Sequence, residues 1–162
     1  LLYSIITLMA IAMLFPITAF AQAYVQTWDL VDSGKHLDYD GNSTYMSYIN
    51  TGAATWNAYK SGVIRKDSAF VVEDVYVSDV NASNGWAGMT YSSGKIELNT
   101  YYMSGYSNSK KQNVATHELG HALGLDHSTS TDVMDAAITG HTSTQALSQN
   151  DKDSYDAAYN NY

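Results

Sequence analysis

The stretch from His117 to His127 reads H-E-L-G-H-A-L-G-L-D-H, with three histidines at spacings of four and six. On a helix, residues four apart lie on one face, one turn above the other. His117 and His121 can therefore turn two imidazoles toward one metal ion. Glu118 lies about 100° round the helix from His117, at roughly 3.6 residues per turn. That puts it beside the metal, where it can act as general base on a water held there. Gly124 suits the left-handed conformation that ends a helix, and the resulting turn brings His127 back as a third ligand. Three imidazoles without a thiolate fit zinc, and a catalytic zinc site keeps its fourth tetrahedral position for water. Zinc lowers the pKa of bound water from about 16 to about 7, and it stabilises the oxyanion that forms on attack. The chemistry expected of this stretch is hydrolysis.

The elements that must position these residues follow from periodicity. The histidine helix is expected to begin near Ser109, with Val114, Leu119, Ala122 and Leu123 as its apolar contacts. Upstream, Tyr24 to Val31 reads as a strand and His36 to Asp40 as a short second strand. A helix is expected from near Ser43 to Ser61-Gly62, with Asn42 or Ser43 as N-cap. Its face of Tyr45, Ile49, Ala53 and Trp56 reads as core. Ala69 to Val80 reads as a buried strand. Trp86 to Tyr91 and Lys95 to Asn99 form a hairpin about Ser92-Ser93-Gly94, and Thr100 to Asn108 is expected to be a loop. Ser148 to Tyr159 reads as a last helix, capped by Ser148 or Asn150.

The chain has 162 residues, no cysteine and a net charge of −8, with eight Lys and Arg in all. No disulfide framework is possible, and no basic stripe points to nucleic acid. Leu1 to Ala23 carries no charge and is apolar as far as Phe20. Its small-residue end, Ala19-Phe20-Ala21 or Ala21-Gln22-Ala23, reads as a signal-peptide cleavage site. Residues 1–21 are expected to be the signal peptide and 22–162 one domain, secreted and extracellular. If uncleaved, the segment is long enough to anchor the chain in a membrane.

The motif resembles H-E-x-x-H-x-x-G-x-x-H of the metzincin metalloproteases. Ser128 after the third histidine is typical of the matrixin branch (peptidase M10 type). Met134 looks like the methionine of the family's Met-turn, and Leu147 to Asp151 resembles the opening of its C-terminal helix. The resemblance implies an α+β fold: a twisted mixed sheet with an antiparallel edge strand, an active-site helix, and a small C-terminal lobe with Met-turn and final helix. It also implies a zinc endopeptidase, with His117, His121 and His127 on one catalytic zinc, Glu118 as catalytic base, and Met134 and Gly124 as structural support. Protein or peptide substrates are implied to pair with the edge strand. Trp86 to Tyr91 is the candidate strand, with Gly88 and Met89 close to substrate or simply hairpin residues.

The chain departs from the animal matrixins. It has no cysteine for a cysteine switch and no histidine between Asn81 and Thr100 for a second zinc, and no propeptide is expected between the signal peptide and the first strand. Asp135-Ala136-Ala137 stands where Pro-x-Tyr usually follows the Met-turn, so the wall of the specificity pocket is left undescribed. These features look more like a minimal bacterial matrixin-like enzyme. His36 and His141 read as surface histidines. Asp126 and Asp135 read as partners of the zinc imidazoles or as solvated acids. The acidic pairs Asp38/Asp40 and Asp74/Asp79 leave calcium as a further candidate. A monomer is expected, with no membrane partner once the signal peptide is removed. The rival reading is a secreted zinc-binding interaction module without catalysis, against which the intact Glu118 weighs.

Overall fold

Leu37–Gly41 forms strand β1, and Met46–Asn57 forms helix α1, which runs to the short strand β2 (Ile64–Lys66). Strand β3 (Val75–Val80) follows, then β4 (Gly88–Tyr91) and β5 (Lys95–Asn99) as a hairpin. Helix α2 (Thr100–Met103) leads into the histidine helix α3 (Asn108–Ala122), and α4 (Gln149–Tyr159) closes the chain. The computed structural model describes residues 22–68 and 72–162. The expected signal peptide, residues 1–21, and the first part of the expected strand, residues 69–71, lie outside them. Among the described residues, no helix is long and apolar enough to cross a membrane.

The strands form one sheet in the order β2-β1-β3-β5-β4. β1 is parallel to β2 and to β3, β3 is parallel to β5, and β4 is antiparallel to β5. This is the mixed sheet with an antiparallel edge strand that the resemblance implied. Leu37, Val75, Val77, Ile96 and Leu98 from the sheet share one core with Ile49, Ala53 and Trp56 of α1 and Leu119 of α3. Burying the Leu, Ile and Val side chains among them contributes about 1.5–3 kcal/mol each.

Helices α1 and α3 approach closely because Gly52 has no side chain. A Cβ there would lie 3.1 Å from the Cα of Thr116. The Trp56 indole N–H donates to the Thr116 carbonyl at 2.9 Å, so the large apolar face of α1 also fixes the height of α3.

Several local expectations need correction. Tyr24 to Val31 is a strap, with one isolated bridge, Val25 to Leu125, in place of a strand. Its backbone pairs with the end of α3 instead: Gln26 N–H donates to Gly124 O (2.7 Å), Leu30 N–H to Ala122 O (2.9 Å), and Asp126 N–H to Tyr24 O (3.0 Å). β-forming residues thus lie extended against a helix terminus that still has carbonyls to satisfy.

Helix α1 starts at Met46 rather than near Ser43, since Ser43 and Thr44 are both held by the Asp79 carboxylate. It ends at Asn57, before Ser61-Gly62, where Asn57 turns its amide to both backbone groups of Ile64. β2 is too short for its pattern to stand out. The expected loop after Asn99 contains α2, capped by the Asn99 side chain accepting from Tyr101 N–H. The last helix has the expected Ser148 cap, reciprocated by Asp151 in a capping box.

Candidate metal centre

Helix α3 carries His117 and His121 on its buried face, 4% and 8% exposed. It ends in a Schellman motif: Leu125 N–H donates to Gly120 O at 3.0 Å and Gly124 N–H to His121 O at 2.9 Å. Gly124 has φ +84, the left-handed conformation expected of it. The turn returns His127 to the helix face, and one ring nitrogen from each of the three histidines lies within 4.8 Å of the others.

The residues fit zinc. His121 Nε2 and His127 Nε2 are 3.2 Å apart. Two nitrogens on one tetrahedral zinc, each at about 2.0–2.1 Å, lie about 3.3 Å from each other. The far sides of two rings are held as well: His117 Nδ1 is 2.8 Å from Val133 O, and His121 Nδ1 is 2.8 Å from Leu125 O. A carbonyl at Nδ1 keeps the proton there and leaves Nε2 free for metal. Burial, aided by like charge from the neighbouring His121, pushes the His117 imidazole down to about 3. Burial pushes His121 down to about 4. Both are neutral at neutral pH, the form in which an imidazole binds metal.

Glu118 is 5% exposed and faces strand β4. The Thr90 hydroxyl lies 2.7 Å from its Oε2. Burial raises the Glu118 carboxyl to about 7, although the Thr90 hydrogen bond opposes the rise. A base with that value takes and returns a proton readily near neutral pH. Gly88 and Met89 line the cleft, of about 460 Å³, that opens beside the histidines. Gly88 has a further role, since a Cβ there would lie 2.5 Å from Glu118 Oε1. Trp86, Tyr106, Val114 and Ile138 supply apolar lining. Ala136, in the stretch that departs from Pro-x-Tyr, is also part of the wall.

Met134 lies beneath the site, 1% exposed. Its sulfur fits against Gly120, where a Cβ would come within 2.3 Å of it. The turn carrying it is held by Asp151, whose carboxylate accepts from Val133 N–H (2.9 Å), Met134 N–H (3.1 Å) and Ser148 N–H (2.8 Å). The cap of α4 and the floor of the site therefore share one side chain.

Some assignments move. Asp126 accepts from the backbone N–H of His127 at 2.7 Å rather than from a zinc imidazole. Asp135 pairs with His141 Nε2 at 2.8 Å, so neither Asp135 nor His141 is a free surface group. Calcium is not supported. Asp38 is taken by Arg65 (2.8 and 2.6 Å), Asp74 accepts from Asp38 N–H, and Asp79 caps the approach to α1. The carboxylates that do approach one another are Asp32, Asp38 and Asp74, not the expected pairs.

Thr90, Gln26, Gly120 and Asp151 were not foreseen. Gly120 had a signal, being a glycine in a helix interior where alanine is favoured by about 1 kcal/mol. Asp151 had one in the Ser-x-x-Asp spacing. Thr90 and Gln26 had none.

Residues 18–160 match the family model described as matrixin, peptidase M10. Among solved structures, the chain is similar to archaemetzincin from Methanopyrus kandleri, with a TM-score of 0.56 and 12% identity over 80% of this chain and 99% of that one. That likeness bears on the fold. A search of curated proteins returns no match.

Proposed function

Since this chain belongs to the matrixin family of zinc metallopeptidases, we propose that it is a secreted endopeptidase acting on protein or peptide substrates. The observation that carries the reading is the convergence of His117, His121 and His127 beside the buried carboxylate of Glu118. The three histidines would hold the ion. Bound zinc supplies a Lewis acid that polarises the scissile carbonyl and makes water more acidic.

The chain's own residues supply the rest. Glu118 takes the proton of the attacking water and delivers it to the departing amine. Thr90 keeps the carboxylate turned to the cleft. β4 ends the sheet with its outer edge free of any strand among the described residues. A substrate can lie along it as an added strand, bound through backbone groups. Gly88 and Met89 then stand next to the scissile bond, within the cleft.

The deciding test is Glu118→Gln, assayed by peptide-library cleavage and by bound zinc. The variant should keep zinc and lose hydrolysis. Cleavage at the wild-type rate would overturn the mechanism. No cleavage by fully loaded wild type would favour the non-catalytic zinc module instead. Export is part of the proposal, motivated by the uncharged apolar stretch before Gln22. N-terminal sequencing of exported protein should find a start at Gln22 or Tyr24, and a retained Leu1 segment would replace secretion with anchoring.

A further inference from the structure

The amide of Gln26 reaches the metal centre from the N-terminal strap. Its Nε2, as placed, is 2.8 Å from His121 Nδ1, the same ring atom that lies 2.8 Å from the Leu125 carbonyl. Its Oε1 is shielded from solvent and has no hydrogen-bond partner among the described residues. The backbone of Gln26 is anchored on the turn that ends α3, donating to Gly124 O at 2.7 Å.

A neutral imidazole carries one proton, on one nitrogen or the other. If Nδ1 accepted from the amide, the proton would sit on Nε2. That proton would point at His127 Nε2, 3.2 Å away, and would deny a metal its ligand. Leu125 O would then face a lone pair. With the proton on Nδ1, Leu125 O becomes an acceptor, and only an amide oxygen fits beside it. The two ends of a glutamine amide are assigned from such networks. Turning the amide over gives Oε1 its missing partner and removes a contact between two N–H groups, and the shielded position then falls to the N–H₂ end.

We propose that Gln26 is a positioning residue for the zinc ligand His121, with Oε1 accepting from Nδ1–H together with Leu125 O. The amide fixes the ring's tautomer and rotation, and makes Nε2 a stronger donor to the ion. The strap therefore serves the metal centre directly. The inference rests on the reading of the three histidines as a zinc site.

The test compares wild type, Gln26→Leu and Gln26→Glu by zinc affinity, measured by chelator competition, with melting of the chelator-treated proteins as the control for folding. Gln26→Leu should weaken zinc binding by about 10–100-fold, and Gln26→Glu, which retains an acceptor, should restore it. Equal zinc affinity in wild type and Gln26→Leu would overturn the assignment, as would a Glu variant as weak as Leu. Wild type that binds no zinc would overturn the zinc reading itself, so the two failures are distinct. Should Gln26→Leu not fold, NMR of zinc-loaded wild type decides. A strong cross-peak between the Gln26 side-chain N–H₂ and the His121 Nδ1 proton would overturn the proposal, and only weak ones support it.

Discussion

Thr90 Oγ1 lies 2.7 Å from Glu118 Oε2 and 2.9 Å from the backbone carbonyl of the same residue. One hydroxyl on the edge strand thus meets Glu118, the proposed general base, at both its side chain and its main chain. Hydrogen bonds to charged groups contribute about 1.5–3 kcal/mol. Thr90→Val should lower kcat by about 10–100-fold on that basis and leave KM nearly unchanged, whereas Thr90→Ser should keep most of the activity. Steady-state kinetics on a cleaved peptide checks this, and a silent Thr90→Val would remove Thr90 from the machinery.

Gly88 meets the other oxygen of the same carboxylate. An added Cβ would sit 2.5 Å from Glu118 Oε1 and 2.7 Å from its Cγ. Gly88→Ala should therefore displace the base and cut kcat by at least about 10-fold, a misplacement effect, with zinc still bound. An intact kcat with raised KM would show that Gly88 serves substrate alone.

The metal-free chain should show the buried carboxylate in its pH–stability curve. Glu118 has a folded pKa of about 7 against an ordinary 4.5. Its proton is therefore retained by the folded state and lost by the unfolded state between those values. Stability from this group is full below about 4.5 and declines as pH rises through 7, by about 3 kcal/mol in all. The histidines act in the opposite sense. His117 and His121 are pushed down to about 3 and about 4, so they favour the fold above about 6.5 and lose that contribution as pH falls. Urea titrations of chelator-treated wild type and Glu118→Gln share the histidine effect. Their difference isolates Glu118, and wild type should lose ground to the variant as pH rises from 5 to 8. A difference independent of pH would contradict the burial argument.

Alanine for glycine inside a helix ordinarily stabilises by about 1 kcal/mol. At Gly120 the sign should reverse, because a Cβ would lie 2.3 Å from Met134 Sδ and 2.9 Å from the Trp56 ring. Overpacking of this kind costs about 1–3 kcal/mol. Gly120→Ala should lower the urea midpoint, and a raised midpoint would mean that the methionine can move aside.

What could be read from residue types was mostly local. The i, i+4 histidines, the glycine that ends their helix and the serine that caps the last one act within a few residues of themselves, and each stands as expected. Thr90 and Gln26 act on residues 28 and 95 positions away, across a sheet edge and a strap that no spacing describes. Tyr24 to Val31 has the composition of a strand, but its partner is the end of a helix, which composition does not reveal. The acidic pairs near each other in sequence misled for a similar reason. Adjacent strands, not chain neighbours, decide which carboxylates meet, and Arg65 on β2 reached Asp38 first.

The strap has a bearing on how the protein assembles. Val25 bridges to Leu125, and Tyr24 N–H donates to the Ser154 hydroxyl at 2.9 Å, 130 residues further on. Closing a loop of that span costs chain entropy, and contacts so far apart in sequence slow folding. Helix α3 and the turn that ends it carry bonds of their own, but Gly124 O and Asp126 N–H gain their partners only when the strap docks. The turn that precedes His127 is thus completed by a segment from far upstream, and the docking that completes it also brings Gln26 to the ring of His121.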